Sequence, residues 1–152
     1  MFKNASKSLI YVISTIVIVG LVFGVTSLAT IKAANEPSVI GVVNVTEIQN
    51  TYSAFVTAVN NINKENDRLS TELESKLKSL SNQSDKDKLT DSYNNTFNTY
   101  VINQLTPVQN NFNNAVAAVA KEKGVNVALD SSGVLYGGID LTAAIKTKLG
   151  IK

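Results

Sequence analysis

Ser131, Ser132 and Tyr136 are the hydroxyls that lie beside a glycine-rich turn, in "LDSSGVLYGGID" (residues 129–140). A hydroxyl becomes a nucleophile only next to a base, and the chain has no His and no Cys. No lysine is set against these serines by an identifiable motif, so they read as turn formers. Asp85, Asp87 and Asp91 are close enough in sequence to invite a cation. Lys86 and Lys88 between them mark a solvated helix start instead. "NVT" at Asn44 and "NNT" at Asn94 match a glycosylation pattern that an Asn-rich chain produces by chance. Zinc sites built on Cys or His, haem ligation and disulfides all need residues this chain lacks. No catalytic residue, cofactor or metal is expected, and what remains is the chemistry of association.

Charge narrows the partners. Of the 14 basic residues, Lys3 and Lys7 precede the first apolar run, and the others are matched one for one by the 12 Asp and Glu. Nucleic-acid binding requires clustered Lys and Arg, whereas Arg68 is the single arginine, so no nucleic-acid partner is expected.

From Leu9 to Ile31 there is no charged side chain. A secretory apolar core takes about 7–15 residues and a bilayer span about 20, so this run is long enough to span. "TSLAT" nevertheless offers Ser27 and Ala29 at the positions a signal peptidase reads. Residues 1–34 are therefore a signal peptide or an N-terminal membrane anchor. Lys3 and Lys7 hold the N-terminus in the cytoplasm. The rest of the chain is extracytoplasmic, in the periplasm or cell envelope, either secreted after cleavage or anchored in the inner membrane by residues 9–31.

The exported part begins with "SVIGVVNV" (residues 38–45), a β-branched run after Pro37 that reads as a buried strand. Asn44 with Glu47 three positions on is a reciprocal helix cap. Ile48, Tyr52, Phe55, Val59, Ile62, Leu69, Leu73, Leu77 and Leu80 then recur at helical spacing, with polar Asn66 in the seam and a slip between Leu73 and Leu80. This predicts one long helix, roughly 35 residues and about 50 Å. "SNQSDKDK" (residues 81–88) breaks it, and Ser84 or Asp85 caps the next. Leu89, Tyr93, Phe97, Tyr100, Leu105, Val108, Phe112, Val116 and Val119 trace a second stripe, kinked by Pro107 and closed by Gly124. Beyond Gly124 the period becomes two. "VNVALD" and "GVLYGGI" read as a strand hairpin turning at "SSG", and Asp140 caps a last helix, "LTAAIKTKL". The fold class is α+β: a small β body of about three strands, residues 38–45 and 124–152, with an antiparallel helical hairpin arm, residues 46–123, inserted between strands. Three short strands leave open edges and little core, which association of several chains would remedy.

"IGVVNVTEIQNTY", a helical hairpin, and "VAKEKGVNVALDSSGVLYGGIDLT" with a short terminal helix together resemble the OmpH/Skp family of periplasmic chaperones over residues 39–149. The most specific stretch is Val119 to Thr142, where "VAKEKG", "VALD", "VLYGG" and "D-L-T" follow in the family's order. The resemblance implies a homotrimer whose strands join in one body, with the three arms enclosing a cavity. There, unfolded outer-membrane or envelope proteins are held without ATP. It places Ile40, Val42, Val43, Val127, Leu129, Val134, Leu135, Tyr136, Gly137 and Gly138 in the oligomer body. Tyr52, Phe55, Tyr93, Phe97, Tyr100 and Phe112 are left to face client or to pack the hairpin. The chain departs from the family's strong basicity, being neutral and Asn-rich with rather short arms, so no lipopolysaccharide or acidic-membrane site is carried over. A competing reading is a membrane-anchored coiled-coil scaffold that binds one defined envelope partner.

Overall fold

The structure is a computed structural model that describes residues 38–152. The N-terminal apolar run, with its choice between signal peptide and anchor, lies outside the described residues. Among them no helix is long and apolar enough to cross a membrane. The order is β1 (Ile40–Val43), α1 (Val45–Thr51), α2 (Ser53–Lys78), α3 (Gln83–Lys123), β2 (Val127–Asp130), a 3-10 turn (Ser131–Gly133), β3 (Ile139–Asp140) and α4 (Thr142–Lys148). It is mostly helical with one small three-stranded sheet, an α+β arrangement. The chain divides into two compact units: a helical unit, Ala58–Leu105, and a sheet unit made of residues 38–57 with Thr106–Lys152.

In the sheet unit the strand order is β2-β1-β3, and both neighbours run parallel to β1. The expected hairpin between "VALD" and "GVLYGGI" is not formed. Alternating apolar residues mark strands but not their direction, and the connection decides it here. The Asp130 carboxylate accepts the Ser132 N–H at 3.0 Å, folding residues 131–133 into the 3-10 turn. Gly137 and Gly138 follow at φ 87° and 92°, and these positive angles carry the chain across to the far side of β1. Val134, Leu135 and Tyr136 therefore lie in the crossover and not in a strand, and the last strand is Ile139–Asp140.

Asn44 caps α1 as its position predicts: its Oδ1 accepts the Glu47 N–H at 3.0 Å. The Asn44 backbone N–H is taken by Thr142 Oγ1 at 2.9 Å, so Glu47 reaches back to the Asn44 side-chain amide instead. The first long helix is interrupted at Tyr52, whose ψ of 103° is extended. Thr51 Oγ1 donates to the carbonyls of Glu47 and Ile48 at the end of α1, a local bond that competes with continuation of the ladder. Pro107 is held inside an unbroken α3, although it withdraws one backbone donor. The second long helix takes its cap from Asn82, whose Oδ1 accepts the Ser84 N–H at 2.8 Å; neither Ser84 nor Asp85 supplies it. Asp140 ends β3 and stands one residue before the α4 cap position, Leu141, where its carboxylate accepts the Thr142 N–H at 2.8 Å. Gly124 adopts φ 65°, and the Val125 N–H returns to the Ala120 carbonyl at 2.8 Å, closing α3.

The core of the sheet unit is Val43, Val45, Ile48, Phe112, Val116, Val119, Leu141 and Ile145, all buried. Full burial of each large aliphatic contributes about 1.5–3 kcal/mol before conformational entropy is set against it. Two ion pairs lie outside it, Lys146 to Glu47 at 2.8 Å and Lys148 to Glu122 at 2.6 Å. The helical unit has its own cluster, Ile62 and Leu69 of α2 with Phe97 of α3, against which Tyr93, Tyr100, Val101 and Leu105 pack.

Candidate functional site

The register of the sheet sorts its side chains into two faces. Pairing of Ile40 with Val127 and of Val42 with Leu129 places these four on one face, and Gly41, Val43, Ala128 and Asp130 on the other. The second face is covered: Val43 is 3% exposed and Gly41 is buried, with the Leu141 and Val125 side chains lying over the latter. The first face is open, with Ile40 at 42%, Leu129 at 42% and Val127 at 37% exposure. Leu135 and Tyr136 in the crossover are almost wholly exposed. Gly138 lies against this open face; a Cβ there would collide with Val42 Cγ2. Of the predicted body residues, therefore, Ile40, Val42, Val127 and Leu129 share one apolar surface. Leu135 and Tyr136 project in the crossover, and Val43 is used inside the chain.

The aromatic stripe divides differently. Phe97 and Phe112 are buried, in the helical and sheet units respectively. Tyr52, Phe55, Tyr93 and Tyr100 are half-buried. Tyr93 is engaged in a polar ladder along the helical unit. Lys76 Nζ lies 5.4 Å from its ring centre and 2.8 Å from Glu72, while Arg68 bridges Glu65 and Glu72. Hydrogen bonds from Lys76 and Tyr93 draw the Glu72 carboxyl down to about 2. The bond with Arg68 likewise lowers Glu65. These exposed groups organise a solvated surface.

Ser131 and Ser132 sit in the 3-10 turn, where the adjacent Asp130 carboxylate accepts the Ser132 N–H. Among the described residues no three carboxylates gather as a metal site; Asp87 instead accepts from Gln83 Nε2 at 2.8 Å. One feature escaped sequence reasoning, a cleft of about 380 Å³ in the sheet unit lined by Tyr52, Asn111, Asn114, Ala115, Ala118, Lys148 and Leu149. Its residues come from α3, from the C-terminal end of α4 and from the break at Tyr52, and only the helical periodicity of Asn111, Asn114, Ala115 and Ala118 hinted that part of it forms one surface. Comparison of the chain with protein-family models and with curated proteins gives no match.

Proposed function

We propose that the protein is an exported, ATP-independent holdase. In this reading three copies join through their sheets, and their helices project as hairpin arms around unfolded envelope or outer-membrane proteins. The observation that carries it is the open face of an all-parallel sheet, made of Ile40, Val42, Val127 and Leu129. Parallel sheets are ordinarily covered on both faces, and an apolar face left open marks a surface of association. Copies of the same chain offer matching surfaces, and closed symmetry limits the assembly. A holdase requires no catalytic group, in keeping with a chain without His or Cys. The resemblance of "VAKEKG…VALD…VLYGG…D-L-T" to OmpH/Skp chaperones supports the same reading. On this reading the protein works outside the cytoplasm, with its N-terminal segment directed to the inner membrane.

The burial of Phe97 in the helical unit and of Phe112 in the sheet unit favours packing inside the chain over client contact for these two residues. That observation keeps the scaffold reading as the alternative, with one defined envelope partner. Dilution of a urea-unfolded outer-membrane β-barrel into the protein, purified as the cell leaves it, separates the two. The holdase suppresses aggregation of unrelated unfolded clients, whereas a scaffold captures one folded partner and leaves aggregation unchanged.

A further inference from the structure

Charge is unevenly distributed along the two long helices. No charged residue lies between Glu47 and Lys64, and none between Asp91 and Lys121. Tyr52, Asn111, Asn114, Ala115 and Ala118, which line the cleft of the sheet unit, all come from these neutral stretches. The cleft's one cation, Lys148, is matched by Glu122 at 2.6 Å. The side chains of Tyr52, Asn111 and Asn114 make no hydrogen bond to another described residue. The lining therefore offers a phenol and two carboxamides beside the apolar side chains of Ala115, Ala118 and Leu149.

A charged ligand would lose hydration in this cleft without meeting a free countercharge. A purely apolar ligand would cover donors and acceptors that it cannot satisfy. A partner that both donates and accepts, without charge, satisfies every group. An extended polypeptide main chain is such a partner. Residues three apart on a helix lie about 5–6 Å from one another, close to the repeat of about 6.6–6.8 Å between like-facing groups of an extended chain. Asn111 and Asn114 thus meet alternate main-chain amides, those that face the same side of the extended segment, while a small side chain settles on Ala115 and Ala118.

We infer that this cleft is a subsite that reads the main chain of an extended, uncharged polypeptide segment; the inference rests on the holdase reading and gives the class of client segment. Binding of this kind asks of the client only small, uncharged side chains at the point of contact and is tolerant of salt, as a chaperone with a neutral body needs. The test uses the protein as the cell leaves it, a capped, uncharged Val-Ser repeat peptide, and the same peptide N-methylated at alternate residues. Fluorescence anisotropy is expected to show binding of the first and about tenfold or greater weakening for the second. Raising NaCl from about 0.05 to 0.5 M is expected to change Kd by less than about twofold. Combined Asn111→Leu and Asn114→Leu, with helix content checked by circular dichroism, is expected to weaken the unmethylated peptide to a similar degree. Equal binding of the methylated peptide, tighter binding by the Leu variant, or selection of a neutral N-acetylglucosamine oligomer over the peptide overturns the assignment. If the unfolded β-barrel is held but the peptide is not bound, the subsite is wrong and the holdase reading stands. If neither is bound, both fall.

Discussion

At Gly138 two constraints meet in one backbone position: φ is 92°, and the place of a Cβ is occupied by the Val42 side chain. Gly137, at φ 87°, carries only the first constraint, since nothing lies within 4 Å of its Cβ position. The two glycines therefore form an internal control. Gly137→Ala is expected to cost about 1 kcal/mol, and Gly138→Val about 3 kcal/mol or more, because overpacking adds to backbone strain. Chemical denaturation measures both, and circular dichroism of the Gly138→Val protein should retain most of the signal of the long helices. At Asp140 the control is electrostatic. The Thr142 hydroxyl and then the Thr142 N–H hold its carboxyl below the usual carboxylate range. A value lowered in the folded state contributes stability that is fully present above the unfolded value, about 4, and is lost as pH falls through the folded value. Asp140→Asn should therefore flatten the acid limb of a plot of unfolding free energy against pH and leave its slope above about pH 5 unchanged.

The elements were legible wherever a local signal fixed them. The β1 run, the Asn44 cap and the closure at Gly124 each rest on residues within a few positions of one another. Orientation was not legible: Val127 and Leu129 alternate as in any half-buried strand, and the parallel pairing follows from the 3-10 turn and the two positive-φ glycines. The interruption at Tyr52 carries no Gly or Pro to announce it. Asn66, read from the heptads as a polar seam residue, has a buried Oδ1 that no described group satisfies. A buried carboxamide at a seam costs stability, and such residues serve to fix helix register. Asn66→Leu is expected to raise the stability of the helical unit by about 1–2 kcal/mol in urea denaturation. A loss of stability would mean that the amide has a partner in the assembled molecule.

At the scale of the whole molecule, each unit carries both charge and exposed apolar side chains, in different proportions. Ion pairs run along the helical unit from Glu65 to Lys78, whereas the sheet unit exposes Ile40, Val127, Leu129, Leu135 and Tyr136. Sequence could nominate these apolar residues, but their exposure is a property of the fold. Likewise, Tyr52, Asn111 and Lys148 become neighbours only once α3, α4 and the break at Tyr52 are placed. If copies of the chain cover the open sheet face, native mass spectrometry will register the assembly. Subunit mass under denaturing conditions is compared with assembly mass under native ones, for the wild-type protein and for Leu129→Lys. A wild-type assembly of three times the subunit mass, reduced to monomer by Leu129→Lys with helix content retained, is the predicted result. A wild-type monomer at micromolar concentration, or a trimer indifferent to the lysine, would contradict it.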